Sequence, residues 1–243
     1  MNGDTVRTIS RGIGQALMTV GVVLLLFVFY TLYVTNLFAA QDQNQLADEL
    51  STRWSDPVAT QPASPVTAVT AVEEPTPVAP PVVTELGEAY ARLYLPSLGR
   101  GTGDPLVAVQ GVSIDDLQKG PGHLPDTAAP GAVGNTVFSG HRTTYGAPFA
   151  DLDKLADGQV VVIETRTDFY TYTVTGSEIV RPTAIEVTYP VPGDRGAAPT
   201  QQLLTLTTCN PKYSAEQRLI IRGELTDSYP KTSGGLPAAL AKA

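Results

Sequence analysis

The sequence predicts a mainly β protein whose strands close, or nearly close, into a barrel. Between residues 87 and 227, short runs of β-branched and aromatic residues are separated by turn-forming residues. They recur about every 8–12 residues, a spacing typical of all-β barrels. The clearest hairpin joins 160–165 to 169–175 through the turn at 166–168. The 20 prolines and 22 glycines of the chain exclude a helical bundle.

The elements of this domain follow from local patterns. The roughly 140 residues from Gly87 to Asp227 suffice for one domain with a single core. Short helices are predicted at 114–119 and 151–155, and 228–243 is predicted to be a disordered tail. Strands are predicted at 91–96, 106–109, 112–114, 134–141, 160–165, 169–175, 179–183 and 204–209, and from Arg218 onward.

An apolar stretch near the N-terminus is long enough to cross a membrane. No charged residue occurs from Gly12 to Gln41. Within it, the 23 mostly apolar residues 16–38 would form a helix of ~35 Å, which spans a bilayer with some tilt. A cleaved signal peptide is the alternative, but its apolar region is shorter, and Phe38 stands where a small residue belongs. We therefore expect an uncleaved anchor at 12–40.

The charges that flank this anchor predict its orientation. Arg7 and Arg11 precede it, whereas acidic residues beginning with Asp42 follow it. Because positive charge stays on the cytoplasmic side, residues 1–11 should be cytoplasmic and the domain should be extracellular. The protein is thus expected in the cell membrane with a single span.

Residues 41–86 are predicted to be an extracellular stalk. Seven prolines fall within 57–81, a composition that favours an extended, polyproline-like chain. The first part, 41–55, has the pattern of a short helix. Its apolar residues recur at four-residue spacing: Leu46, Leu50 and Trp54.

Composition argues against two classes of partner. The chain has a net charge of −8, and residues 87–227 carry 11 basic against 16 acidic residues without a basic cluster. Nucleic acid is therefore not expected as a partner. Two histidines and one cysteine are too few ligands for a closed zinc site, and no metal or other cofactor is expected.

The single cysteine, Cys209, is the first candidate for chemistry. It follows the run 204–207, in which apolar and hydroxylated residues alternate as in a half-buried strand. Asn210-Pro211 then breaks the strand. The thiol is thus presented at the end of a rigid strand. A lone cysteine is often a small core residue, and that alternative stays open. In an extracellular domain, however, an unpaired thiol calls for a reason.

His141 and Arg218 complete a plausible set for acyl transfer. His141 ends the strand at 134–141 and Arg218 opens the strand after Cys209, whereas His123 lies in a glycine- and proline-rich loop where a structural role is the default. A thiolate is a nucleophile and a nearby cation favours it. Histidine can protonate a leaving amine, and arginine can donate to an oxyanion. Spacing alone does not separate this set from coincidence.

Three segments resemble the sortases. They read FSGHRTTYGAPF at 138–149, LTTCNP at 206–211 and RLII at 218–221. The order His, Cys, Arg and the gaps of 68 and 9 residues fit that family. The residues of the first two segments resemble the corresponding motifs of the class E sortases of high-GC Gram-positive bacteria. The resemblance covers roughly residues 88–226.

The resemblance implies an eight-stranded β-barrel with short helices and an active-site groove. Sortases cleave a sorting signal between threonine and glycine through a thioacyl-enzyme on the cysteine. An amine then resolves it, usually from a peptidoglycan precursor. Class E enzymes are expected to prefer Leu-Ala-x-Thr-Gly over Leu-Pro-x-Thr-Gly. The implied partners are therefore secreted proteins bearing this signal, a cell-wall precursor amine, and the membrane through the N-terminal helix.

By position in these motifs, Cys209 is the implied nucleophile, His141 the general acid/base, and Arg218 the substrate or oxyanion clamp. Tyr145 resembles the tyrosine linked to the alanine preference. Thr208 and Thr143 are further candidate substrate-binding residues. An ordinary packing role stays open for Tyr145 and Thr208.

Other functions stay open beside wall anchoring. They are a pilin-polymerising sortase, a cysteine hydrolase of the same fold, and a non-catalytic binding domain. Pilin-polymerising sortases often carry a lid with Asp-Pro and an aromatic residue. Here Asp56-Pro57 is followed by Val58, so a lid is not expected.

Overall fold

The computed structural model describes residues 3–55 and 84–241 and shows a closed barrel of eight strands. Its neighbour order is β1-β2-β3-β4-β7-β8-β6-β5, and β5 closes onto β1. The β2–β3 and β4–β7 pairs are parallel and the others antiparallel. The predicted mainly β, eight-stranded barrel is confirmed. The strands are β1 (Ala89–Tyr94), β2 (Leu106–Gln110), β3 (Gly122–His123), β4 (Gly134–Ser139), β5 (Val160–Glu164), β6 (Asp168–Val180), β7 (Gln202–Asn210) and β8 (Gln217–Pro230).

Most strands lie where the residue pattern predicts them, and β5 and β6 form the expected hairpin. Residues 112–114 form no strand, because Ser113 instead caps the helix α3 (Ile114–Lys119), with its hydroxyl accepting from the Asp116 N–H at 3.2 Å. The two-residue β3 was not predicted, since so short a strand shows no alternation. The predicted helix at 151–155 is a single 3₁₀ turn, Leu152–Lys154.

Apolar side chains from the strands fill the barrel interior. The largest fully buried ones include Tyr172, Phe138, Leu204 and Leu206. Burial of each such side chain contributes about 1.5–3 kcal/mol before entropy is counted. On β7, Leu204 and Leu206 belong to this interior cluster. Alternation along the strand therefore puts Thr205, Thr207 and Cys209 on its outer face.

Two helices lead from the N-terminus to the barrel. They are α1 (Gly3–Phe29) and α2 (Thr35–Ser55), joined by the π-helical turn Tyr30–Val34. Within α1, Ser10–Phe29 is long and apolar enough to cross a membrane by length and composition, with a mean hydropathy of 2.2. None of that segment is buried against the rest of the molecule.

The helix α2 packs on the outside of the barrel, which corrects the predicted stalk at 41–55. Leu46 and Leu50 are buried against an apolar patch on β1 and β2. The stripe at four-residue spacing is therefore the packing face of an amphipathic helix. The proline-rich run at 57–81 lies outside the described residues. The patch consists of Ala89, Val107 and Val109.

A side-chain amide fastens α2 to the edge of β2. The amide oxygen of Gln43 accepts from the Val107 N–H at 2.8 Å. Its amide nitrogen donates to the carbonyls of Val107 at 2.9 Å and Lys119 at 2.7 Å. Each such bond contributes about 0.5–1.5 kcal/mol net. Residues 35–40, the last part of the predicted anchor at 12–40, thus belong to this docked helix.

The C-terminal residues pack as well, which corrects the predicted disordered tail for 228–241. The strand β8 runs on to Pro230. Leu240 is 1% exposed and covers an apolar outer face of β1, β5 and β6. The composition of 228–243 is mixed and shows no periodic pattern of apolar residues, so the sequence did not predict this contact. That face is formed by Tyr94, Val162 and Phe169.

Candidate active site

Cys209 and Arg218 lie opposite each other on two neighbouring strands. Cys209 is the penultimate residue of β7 and pairs in register with Arg218, the second residue of β8. Directly opposed residues of an antiparallel pair project from the same face. The thiol and the guanidinium stem therefore share the outer face of the barrel. Cys209 is a free cysteine of intermediate exposure.

His141 reaches the same level from the other side of β7. The strand β4 runs parallel to β7, with Ser139 level with Thr207. Pairing continues past the end of β4, because the Gly140 N–H donates to the Thr207 carbonyl at 3.1 Å. Two residues beyond the Ser139–Thr207 pair, the same register brings His141 level with Cys209. The three candidate residues thus lie side by side at the ends of β4, β7 and β8.

Thr208 joins the two strands on their buried side. Its side chain is 2% exposed, and its hydroxyl donates to the Gly140 carbonyl at 2.7 Å. The hydroxyl thus points to the barrel interior, and the substrate-binding role of Thr208 stays a prediction. The bond holds together the two residues that precede Cys209 and His141. Thr143 lies half-buried in the loop after His141, and its substrate-binding role stays a prediction.

Arg142 is a buried charge that the sequence did not single out. It is 5% exposed. Its guanidinium donates to the Cys209 carbonyl at 3.2 Å and to the Asn210 side chain, and it pairs with Asp153 at 3.1 Å. Charge-assisted bonds of this kind are the stronger ones. They fasten the end of β7 to the loop after His141. The one available signal was its place directly after the motif histidine.

Tyr145 stands against His141 in a left-handed turn. Three successive residues have positive φ: Tyr145 at 52°, Gly146 at 74° and Ala147 at 44°. This region costs a non-glycine residue about 1–2 kcal/mol, so surrounding contacts must hold the turn. The rings of Tyr145 and His141 lie 4.9 Å apart at 42°. The structure therefore places Tyr145 beside His141, and its substrate-binding role stays a prediction.

One contact that holds this turn comes from α2. The Gly146 N–H donates to the side-chain oxygen of Asn36 at 2.9 Å. A Cβ on Gly146 would lie 3.3 Å from that of Ala39, so the helix and the turn approach closely. Residues assigned to the anchor by sequence thus contact the loop that carries Tyr145.

The electrostatics of the site favour neutral histidine. Burial lowers the pKa of His141 below its ordinary value of 6.5, because desolvation disfavours the imidazolium. The Arg218 guanidinium donates to two carbonyls of the β7–β8 loop, Ala215 at 3.0 Å and Gln217 at 2.9 Å. These charge-assisted bonds lie at the protein surface, where water competes for both partners, so the Arg218 guanidinium can exchange them for a bond to a substrate carbonyl.

A loop between β6 and β7 lies against the outer face of β4 and β7. The Asn135 side chain donates to the carbonyls of Val187 and Tyr189, both at 3.1 Å, and accepts from the Thr205 hydroxyl at 2.8 Å. These bonds hold the 3₁₀ turn Ile185–Thr188 on the outer face of β4 and β7. The sequence pointed to none of these residues.

His123 has the structural role that its loop suggested. Its ring is buried and stacks on Tyr90 at 4.7 Å. Its two nitrogens lie 2.9 Å from the side-chain oxygen of Gln110 and 3.1 Å from the Ala128 carbonyl. Burial lowers the pKa of His123 to about 4. Within 3–55 and 84–241, no group of three or more metal-ligating residues could hold an ion.

Residues 93–226 match the sequence profile of the sortase domain, which is more than half of the chain. The chain belongs to the sortase family. Sortase SrtE1 of Streptomyces coelicolor is 31% identical over 234 residues, which cover 93% of this chain and 59% of that protein. This sortase thus spans less than two thirds of that relative's length.

Solved sortases share the fold. The structure of sortase E from Streptomyces avermitilis is 37% identical, with a TM-score of 0.57 over 65% of this chain and 99% of that one. Sortase E1 from Streptomyces coelicolor, crystallised with a tripeptide in its active site, is 31% identical with the same TM-score over 63% of this chain and 97% of that one. The resemblance to class E sortases is confirmed.

Proposed function

We propose that this sortase is a membrane-anchored cysteine transpeptidase. It cleaves a C-terminal sorting signal between threonine and glycine and joins the new C-terminus to a cell-wall precursor amine. The observation that supports this most strongly is the alignment of Cys209, His141 and Arg218 on one outer face at three neighbouring strand ends.

In the first step the Cys209 thiolate attacks the carbonyl carbon of the signal threonine. The electron pair of the C=O bond moves to oxygen, and Arg218 donates a hydrogen bond to that oxyanion. As the C=O bond reforms, the C–N bond breaks, and the His141 imidazolium gives its proton to the leaving glycine amine. The products are a thioester on Cys209, a free amine and neutral His141.

In the second step the acceptor amine attacks the thioester carbonyl. Neutral His141 takes a proton from the attacking nitrogen while the C–S bond breaks and the thiolate leaves. A new amide bond forms, and the thiolate and imidazolium are restored. Since burial lowers the pKa of His141, its imidazolium form is a minor population at neutral pH.

The apolar helix supports a location in the cell membrane. The segment Ser10–Phe29 meets the length and composition of a single span, and Arg7 and Arg11 flank its N-terminal side. The N-terminus would then be cytoplasmic and the barrel extracellular, where secreted proteins and wall precursors are available. This sortase would anchor proteins that carry a Leu-Ala-x-Thr-Gly or Leu-Pro-x-Thr-Gly signal.

A transfer assay on the full-length protein in detergent tests this function. With a Leu-Ala-x-Thr-Gly peptide, we expect mass spectrometry to detect a thioacyl adduct on the wild-type protein and none on Cys209→Ala. Adding a glycine-type amine should divert the product from free acid to ligated peptide. Product that stays free acid at every amine concentration would indicate a hydrolase, and absence of any adduct would contradict the proposal.

A further inference from the structure

A cavity separates the start of α2 from the loop that carries Tyr145. It has a volume of about 240 Å³. Helix residues form one wall, and residues of α3 and of the turn after His141 form the other. The cavity is thus built jointly by the helix that follows the apolar span and by the candidate active site. Its lining residues are Tyr30, Thr35, Phe38, Ala39, Asp42, Gln118 and Tyr145.

The cavity carries one carboxylate, and this charge has no counter-ion. Asp42 is half-buried, and it forms no ion pair with any residue of 3–55 or 84–241. Three aromatic residues, Tyr30, Phe38 and Tyr145, line the same space. A carboxylate beside aromatic rings is a combination that attracts ammonium groups, by charge and by cation–π interaction.

The position of the cavity relates it to the chemistry of the second step. The Tyr145 ring lies 4.9 Å from the His141 ring, so the cavity opens beside the base that deprotonates the acceptor. The Asn36 bond to the Gly146 N–H, 2.9 Å long, fixes the turn that carries Tyr145 relative to α2. Tyr145 thus connects the cavity to His141, which the strand register places level with Cys209.

We propose that this cavity binds the primary ammonium group of the acceptor, with Asp42 as its counter-ion and Tyr30 and Tyr145 as its aromatic walls. The inference rests on the proposed transpeptidase function and deepens it, since it gives the acceptor amine a binding place on the protein. The acceptor is a cationic primary amine that enters from the side of the apolar span. It binds as ammonium, releases one proton to water to become the free amine, and gives a second proton to neutral His141 as the amide bond forms.

The test compares two nucleophiles on full-length protein in detergent with one donor peptide. Triglycine carries an ammonium group at neutral pH, whereas hydroxylamine is uncharged. For Asp42→Asn we expect the KM for triglycine to rise about fivefold, as for loss of a partly exposed ion pair. The KM for hydroxylamine and the rate of donor hydrolysis without amine should stay as in the wild type.

Asp48→Asn is the matched control, because Asp48 is exposed on the same helix six residues further on. It should leave both KM values unchanged. Equal triglycine KM values for the two variants would overturn the inference, as would an equal rise for both nucleophiles with Asp42→Asn. Absence of a thioacyl adduct in the wild type would overturn the proposed function and the inference together, so the two failures are distinguishable.

Discussion

The hydroxyl of Thr208 donates a hydrogen bond to the carbonyl of Gly140 across 2.7 Å. This bond spans the seam between β7 and β4, one residue before both Cys209 and His141. It lies on the buried side of the sheet, opposite the face that carries Cys209. The register of two parallel strands thus fixes the relative position of Cys209 and His141, the proposed nucleophile and the proposed base.

We expect Thr208→Val to lower kcat more than it raises KM. Valine has nearly the same shape, but the buried Gly140 carbonyl loses its donor, which costs about 1–3 kcal/mol. Urea unfolding should show that loss of stability, and a peptide-transfer assay should show the fall in kcat. Thr208→Ser keeps the hydroxyl and should retain most activity. Wild-type kcat in Thr208→Val would show that the bond does not position the site.

Arg142→Met should destabilise the end of β7. The variant leaves the Cys209 carbonyl, the Asn210 side chain and Asp153 without their charged donor. Loss of charge-assisted bonds costs about 1.5–3 kcal/mol, and we expect kcat/KM for the donor peptide to fall at least tenfold. Chemical unfolding and donor kinetics are the measurements.

Arg181→Met, at an exposed position, is the control for Arg142→Met and should change neither quantity. Equal donor kinetics in the two variants would mean that Arg142 supports folding alone.

Tyr145 should set the choice of the second signal residue. Proline at the second signal position has no backbone N–H, whereas alanine has one that can donate a hydrogen bond to the tyrosine hydroxyl. One such bond gives a preference of about tenfold or less. Tyr145→Phe should lose part of the ratio of kcat/KM between Leu-Ala-x-Thr-Gly and Leu-Pro-x-Thr-Gly peptides, and Tyr145→Ala more of it. Cys209 should alkylate normally in both, and an unchanged ratio would show that Tyr145 only packs.

Stability should fall with pH below 6.5 because of His123. Its pKa is lowered from 6.5 to about 4 by burial, so the unfolded chain takes up a proton in this window and the folded chain does not. As far as His123 determines it, the free energy of unfolding is therefore highest above pH 6.5, and it declines as the pH falls from 6.5 towards 4. The slope approaches about 1.4 kcal/mol per pH unit, or about 3 kcal/mol across the window.

Unfolding in urea at several pH values measures that slope. His123→Phe keeps a ring against Tyr90 and removes the titration, so its stability should depend less steeply on pH than that of the wild type. Parallel curves for the two proteins would show that other groups carry the acid sensitivity.

The candidate residues on strand ends were predictable because local pattern carries them. Alternation before Cys209 and the proline after Asn210 mark where β7 stops, and Arg218 follows at the start of the next strand. Residues that act through distant contacts were not predictable. The burial of Arg142 depends on Asp153 and on the end of β7, and neither lies next to it in the chain.

The same reason explains the two misread ends of the domain. The stripe of Leu46 and Leu50 announces a helix, but its partners on β1 and β2 lie about 40 to 60 residues away and share no local signal with it. Leu240 likewise reaches back to Tyr94 and Val162. A local sequence pattern identifies the apolar side chains that must be buried, but it does not identify the distant residues that bury them.

The docked helix connects the apolar span directly to the barrel. Its last turns are tied to β1, because Arg92 donates to the Ser51 hydroxyl at 2.7 Å and Arg53 donates to the Ala89 carbonyl at 3.2 Å. With α1 in the bilayer as proposed, the seven residues from Tyr30 to Asn36 rise only ~10 Å. The height of Cys209 and His141 above the lipid surface is then set by that short rise and by the contacts that hold α2 on the barrel.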